Sequence, residues 1–396
     1  MSSLLSFSSI LSYVGYVVMA IIVLLFMVLI HELGHYTAGK ILKFKINEFS
    51  IGFGPKIFQK KKKNGELVSL RVLPLGGYCA FDGEDETGKE SPTAFNNQKP
   101  WKRLIVLFCG AFFNFLSGII FAFILLVSCG YDLVQVKQVD QTSINYQALQ
   151  QNDVILGVNG NKIDFVKDDY INPLITDYVE NNYNKYKGEN LTEEKAFVNE
   201  NKTYYIVLEE LPLNIKRDGK KCDQTAYINV IYNEKGECSG WTLLHDYTDN
   251  PEEFSMRTYR YSFGEAVLES VPYACKWGWK ILVTFTKLLT GRPIIEGQSN
   301  IKSIGGPITT INMIASSTAE IGFTYVLILL PALAVNLAVF NLLPIPALDG
   351  FQMLFVLIEW IRKKPVKREV VNAINNVGLI VLLGFVVVIE VMQFIL

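Results

Sequence analysis

His31, Glu32 and His35 form an H-E-x-x-H pattern inside the stretch "VLIHELGHYTAGK", residues 28–40. The chain has only three histidines, so chance seldom brings two of them into this spacing. On a helix, positions i and i+4 share a face, and both imidazoles can reach one metal ion. Glu32 projects about 100° away, where it can reach a water beside the metal rather than the metal itself. Zinc acidifies such a water, and a nearby carboxylate can take its proton as it attacks a carbonyl.

Two histidines leave zinc short of a ligand. His245 is the only other histidine, and it lies in a segment that the charge distribution places on the wrong side of a membrane. Asp349 follows the uncharged run 321–348, and the next charge is Glu359. That puts its carboxylate at a depth similar to that of His31 and His35, and Asp349 is the expected third ligand. The sequence around it, "NLAVFNLLPIPALDG", contains Pro344 and Pro346, which donate no backbone hydrogen bond and break a helix. Broken backbone at membrane depth is tolerated in protein or beside a water-filled cavity, and hydrolysis requires water. Asn336 and Asn341 can either satisfy the freed backbone groups or hydrogen-bond a peptide substrate.

The elements that must position these residues are read from the charge pattern. No Lys, Arg, Asp or Glu occurs in residues 1–31, 104–131, 321–348 or 370–389 of the 396. Each run reaches the roughly 20 residues that a helix needs to cross the hydrocarbon core. Half of the chain is hydrophobic and the net charge is −1, which argues for an integral membrane protein with the lipid bilayer as partner and no nucleic acid. The first run lacks the basic start of a signal peptide and bears the histidine pattern, so it is read as a retained span.

Lys40, Lys43, Lys45, Lys56, Lys60 to Lys63 and Arg71 follow the first span, and Arg362, Lys363, Lys364, Lys367 and Arg368 precede the last. Positive loops face the cytoplasm, which sets both termini and the segment from about 130 to 320 outside. Asn64-Gly65 between alternating segments predicts a hairpin turn. "LQQNDVILGVNGNKI" predicts a strand and a tight Asn159-Gly160 turn, while the polar stretch 166–203 reads as a surface insertion. Residues 262–292 are apolar but interrupted by charges, and Trp277 and Trp279 suit a headgroup-level amphipathic helix. Cys222 and Cys238 could bridge a hairpin in an oxidising compartment.

The expected fold is thus a polytopic α-helical membrane protein of about four transmembrane helices, with a cytoplasmic β-hairpin region and a β-rich outer domain. Its parts are a first span over 1–42, the hairpin and loop region over 43–100, and a second span over 101–131. The outer domain covers 132–260 and the interfacial helix and linker 261–320. A broken third span over 321–361, a cytoplasmic loop over 362–369 and a fourth span over 370–396 complete the chain.

"HELGH", "GFGP", "LPLGGY" and "NLLPIPALDG", in this order, resemble the site-2 protease family of intramembrane zinc metalloproteases, most closely its bacterial regulators of sigma-factor signalling. The resemblance implies that His31, His35 and Asp349 bind Zn2+ and that Glu32 is the general base. It also implies that Asn341 and the strand edge at Gly76 and Gly77, with Asn336 as a further candidate, hold the substrate backbone extended. The implied substrates are transmembrane segments, either of anti-sigma factors or of remnant signal peptides, in a bacterial plasma membrane.

"LQQNDVILGVNG" resembles part of a PDZ domain, with Asn152 where a glycine is usual, and a size-excluding role is expected of that domain. The chain departs from the family at Ala111, where a proline is common, and at Phe351, where a second glycine is common. Asn114 occupies a polar position in the second span with no assigned role. The competing readings are a membrane adaptor with a vestigial metal site and, more remotely, a channel, for which an internal repeat is missing.

Overall fold

The computed structural model describes residues 7–83, 93–137, 139, 145–163, 172–183, 196–199, 202–235, 238–242, 254–294, 305–364, 366 and 368–395. The chain divides into two units, one formed by Met1–Leu125 with Phe263–Leu396 and the other by Leu126–Ser262.

The first unit opens with helix α1, Phe7–Ile41. Lys43 closes it in a left-handed conformation (φ 63°), and the Phe44 N–H reaches back to the Gly39 carbonyl at 2.8 Å. This closure satisfies carbonyls that would otherwise be orphaned at the helix end. It also drops Phe44 into a cluster with Phe81 and Phe95.

Strands β1, Ile46–Lys61, and β2, Leu67–Phe81, follow as an antiparallel hairpin with Gly65 at positive φ in the turn. The hairpin is also folded across itself. Residues 48–51 pair with 77–80 on one side and lie against 67–70 on the other. Gly52 and Gly54 (φ 84° and 83°) make the bend, and a Cβ at Gly52 would stand 2.8 Å from the Leu73 carbonyl oxygen. Arg71 braces the fold. It donates to Ser50 Oγ, the Gly54 carbonyl, Glu48 Oε1 and the Tyr78 hydroxyl at 2.7–3.0 Å.

A second anchor ties the hairpin tip to α1. Glu66 is buried and accepts hydrogen bonds from Lys40, Lys62 and Asn64, and Lys62 also donates to the Tyr36 hydroxyl at 2.9 Å. A 3-10 turn, Phe95–Asn97, then leads into α2, Pro100–Ser128.

The second unit is an antiparallel sheet with a helix against it. Its strands are β3 (Tyr131–Val136), β4 (Val154–Val158), β5 (Asn161–Lys162), β6 (Ala196–Asn199), β7 (Lys202–Arg217), β8 (Lys220–Asn233), β9 (Cys238–Thr242) and β10 (Phe254–Tyr259), and α3 spans Asn172–Tyr183. The main order is β10-β3-β4-β7-β8-β9, with β5 on β4 and β6 on β7. Asn159 and Gly160 both take positive φ, as the predicted tight turn requires.

Asn152 stands at φ 73° immediately before Asp153. Asparagine is one of the few residues with a side chain that tolerates that left-handed conformation. Asp153 is buried and pairs with Arg217 at 2.6 Å.

Two expectations need correction here. Ile175 and Val179 of α3 are fully buried in the sheet core, so this part of the polar stretch 166–203 is not a surface insertion. Residues 164–171, 184–195, 200 and 201 of that stretch, and His245, lie outside the described residues. Cys222 and Cys238 are free thiols. Cys238 pairs with Tyr232 of β8, ten residues along from Cys222, or about 33 Å at strand rise. A disulfide needs Cα atoms within about 7 Å.

The chain returns to the first unit at α4, Phe263–Leu289, which packs near Val335 and Val339 at its buried Gly278. Helix α5, Pro307–Ile321, lies in the stretch expected to be a linker. No local side chain caps it. Glu390 instead accepts from the Ile308 and Thr309 backbone amides and from the Thr309 hydroxyl. Helix α6, Thr324–Leu342, is followed by an irregular segment with Pro344 and Pro346, then by α7, Asp349–Arg362, and α8, Arg368–Ile395. Among the described residues four helices, α1, α2, α6 and α8, are long and apolar enough to cross a membrane.

Candidate metal centre and active site

His31 and His35 stand one turn apart on α1, with their rings nearly perpendicular at 87°. Their Nε2 atoms are 3.1 Å apart, and Asp349 Oδ2 lies 2.9 Å from the first and 3.2 Å from the second. Tetrahedral zinc with bonds of about 2.0–2.2 Å separates neighbouring ligand atoms by about 3.3–3.5 Å, so an outward shift of a few tenths of an ångström lets one ion reach all three. Asp349 Oδ2 is buried and takes no hydrogen bond of good geometry, although two ring nitrogens crowd it. A cation between them would resolve that arrangement, because an ionised carboxylate only accepts. Among the described residues this is the one His/Cys/Asp/Glu group placed to hold a metal.

The positioning comes from close backbone approaches. A Cβ on Gly34 of α1 would lie 2.7 Å from the Cys109 carbonyl carbon of α2. A Cβ on Gly110 would overlap His35 Nε2 and stand 2.7 Å from His31 Cε1. Both glycines are therefore needed for the two helices to meet around the rings. His35 Nδ1 is 2.9 Å from the Val106 carbonyl. A carbonyl only accepts, so Nδ1 carries the proton and Nε2 turns its lone pair to the centre. His31 Nδ1 faces the side-chain amides of Asn114 at 3.3 Å and Asn341 at 3.4 Å.

Asp349 is the first residue of α7, where the helix dipole favours a carboxylate. The break before it is held open by Ala347 at φ 74° and by a bond from its N–H to Asn375 Oδ1 at 3.4 Å. A side chain on Gly350 would collide with the last carbonyls of α6, which explains the glycine after Asp349. Asn375 also lines a cavity of about 120 Å³ between α7, α8 and the start of α2, where polar Asn96, Arg103, Gln352 and Glu359 alternate with apolar Phe95, Leu107 and Val356. It is large enough for several waters.

Glu32 faces β2. Its Cγ would be 3.6 Å from a Cβ at Gly77, and the Cys79 backbone N–H hydrogen-bonds its carboxylate. Gly76 takes φ 150°, and Phe53 packs where its side chain would be. The structure thus brings His31, Glu32, His35, Asp349, Asn341 and the Gly77 strand into one site. It does not bring Asn336 there. That residue is exposed, and five helical positions turn it about 140° from Asn341. The sequence reading missed Gly34, Gly110 and the contact of Asn114. The one signal for them was small and polar residues in otherwise bulky apolar helices.

Comparison with known proteins adds a family. The family model that matches is described as Peptidase family M50, over residues 19–385. A protein of Clostridium perfringens that bears the provisional name zinc metalloprotease is 29% identical over 385 residues, covering 95% of this chain and 97% of its own. Proteins with the same provisional name from Fusobacterium nucleatum and Helicobacter pylori are 29% and 28% identical. They cover 94% and 93% of this chain and 96% of their own lengths.

Proposed function

This chain belongs to peptidase family M50, and on that premise we propose that it is a zinc-dependent endopeptidase that cuts peptide bonds within transmembrane segments of other membrane proteins. The observation that carries the reading is the convergence of His31, His35 and Asp349, from two separate elements, in a chain with helices long and apolar enough to cross a membrane. His31 Nε2, His35 Nε2 and Asp349 would hold the ion. Zinc, when bound, polarises the scissile carbonyl and lowers the pKa of a water to about 7.

Glu32 takes the proton of the attacking water and passes it to the leaving amine. The Cys79 N–H holds its carboxylate in place for that transfer. A helical substrate has its carbonyls hydrogen-bonded and must unwind before attack. The strand at Gly76 and Gly77 offers replacement backbone bonds, and Asn341 donates to the extended chain. Water would reach the site past the broken segment before Asp349, where Pro344 and Pro346 interrupt the helix.

In this reading the site opens to the cytoplasmic side of a bacterial plasma membrane, and the hairpin with its lysines lies on that side. The PDZ-like unit excludes bulky substrates, so trimmed anti-sigma factors or remnant signal peptides are the substrate classes. Glu32→Gln tests the mechanism with a purified transmembrane reporter. The expected result is full zinc content with cleavage reduced by about 10²–10⁴-fold, the usual size of a general-base contribution. Cleavage at the parental rate by that variant would contradict the role of Glu32. A parent that binds zinc yet cleaves no membrane reporter would favour the adaptor.

A further inference from the structure

We propose that Asn114 is a positioning residue for the metal, its side-chain carbonyl accepting the Nδ1–H of His31 and so holding that ring with Nε2 open to zinc. The inference rests on the zinc reading above. A ligating imidazole nitrogen carries no proton, so the single proton of neutral His31 sits on Nδ1 and requires an acceptor. Two asparagines approach that atom, both with Nδ2, at 3.3 and 3.4 Å. Two amide donors facing an N–H leave three hydrogens directed at one another. Asn114 Oδ1 meanwhile is buried with no partner. Turning the Asn114 amide by 180° exchanges two nearly indistinguishable atoms. It gives the His31 Nδ1–H an acceptor and Oδ1 a donor, and it moves the NH2 to the position that Oδ1 leaves.

The choice of Asn114 over Asn341 follows from burial. Asn114 is 0% exposed within the uncharged part of α2, and its buried oxygen has no hydrogen-bond partner. Asn341 is half-buried at the C-terminal end of α6. One N–H takes one acceptor well, so Asn341 is left to face substrate. The assignment also makes the site regular. Val106, Gly110 and Asn114 recur every four residues on one face of α2. The first supplies the acceptor for His35, the second the space for both rings, and the third the acceptor for His31.

The test is zinc affinity by chelator competition in detergent-purified protein, for the parent, Asn114→Leu, Asn114→Asp and Asn341→Ala. Asn114→Leu should bind zinc about 10–100-fold more weakly, the range for loss of an outer partner of a ligating histidine. Asn114→Asp keeps an acceptor oxygen in place and should retain at least the parental affinity. Asn341→Ala should keep parental affinity while losing cleavage. Parental affinity in Asn114→Leu, equal losses in the Leu and Asp variants, or a loss confined to Asn341→Ala would each overturn the assignment. Should the leucine variant fail to fold, the retained affinity of Asn114→Asp against the chelator decides alone. A parent that binds no zinc would overturn the metal reading itself, an outcome distinct from these.

Discussion

At Gly110 the backbone of α2 runs so close to both imidazoles that a methyl group there would stand 2.5 Å from His35 Cε1 and 2.7 Å from His31 Cε1. Gly110→Ala should therefore push the rings off the positions that fit one ion and weaken zinc binding at least about tenfold, as outer-contact losses at metal sites do. Alanine is favoured over glycine in a helix interior by about 1 kcal/mol, so a loss of zinc cannot be ascribed to a weaker helix. Gly15→Ala meets nothing within 4 Å and should leave affinity unchanged. Chelator competition on both variants checks the pair. At this scale the H-E-x-x-H spacing was legible because i and i+4 share a helix face, and Asp349 because so few charges stand near it. The contact of Asn114 was not legible, since a lone amide in an apolar helix has many uses until its neighbour is known.

The hairpin is held by two charged anchors as well as by the burial of Ile46, Cys79 and Phe81. Burial pushes the Glu66 carboxyl up, but hydrogen bonds from Lys40, Lys62 and Asn64 outweigh it and hold the group down to about 2. A carboxylate lowered on folding contributes its stability above its ordinary value, and that contribution is lost as pH falls through the folded value. Protection of hairpin amides, corrected for intrinsic exchange, should thus fall between about pH 4.5 and 2 in the parent. Glu66→Gln should show lowered protection at pH 7 and a weaker dependence. The rest belongs to Glu48, which burial pushes up but hydrogen bonds from Ser69, Arg71 and Tyr78 hold below the usual carboxylate range. Equal protection in both proteins at pH 7 would contradict the anchor. The Asn64-Gly65 turn was legible from its dipeptide, whereas the fold-back at Gly52 and Gly54 was not, because glycines alone do not say which way a strand bends. Helix α5 escaped notice for a physical reason: the carboxylate that caps it, Glu390, lies 82 residues beyond Ile308. Helix α3 escaped because only one face of a polar segment is apolar.

At the scale of the whole molecule, the four apolar helices were legible because a charge inside a membrane span is costly and long uncharged runs are rare otherwise. The break between α6 and α7 follows from Pro344 and Pro346, while the depth of its closure needed Gly350 and Asn375 in three dimensions. The lysine distribution carries a topological prediction. In a background with its cysteines replaced, Lys61→Cys should react with an impermeant thiol reagent only from the cytoplasmic side, and Lys220→Cys only from the other. Labelling of both from one side would reverse or refute the orientation. The most direct test of the central claim is zinc content per chain in detergent-purified parent and Asp349→Ala protein. Close to one zinc is expected in the parent and a marked loss in the variant. An unchanged zinc content in Asp349→Ala, or none in the parent after metal repletion, would contradict it.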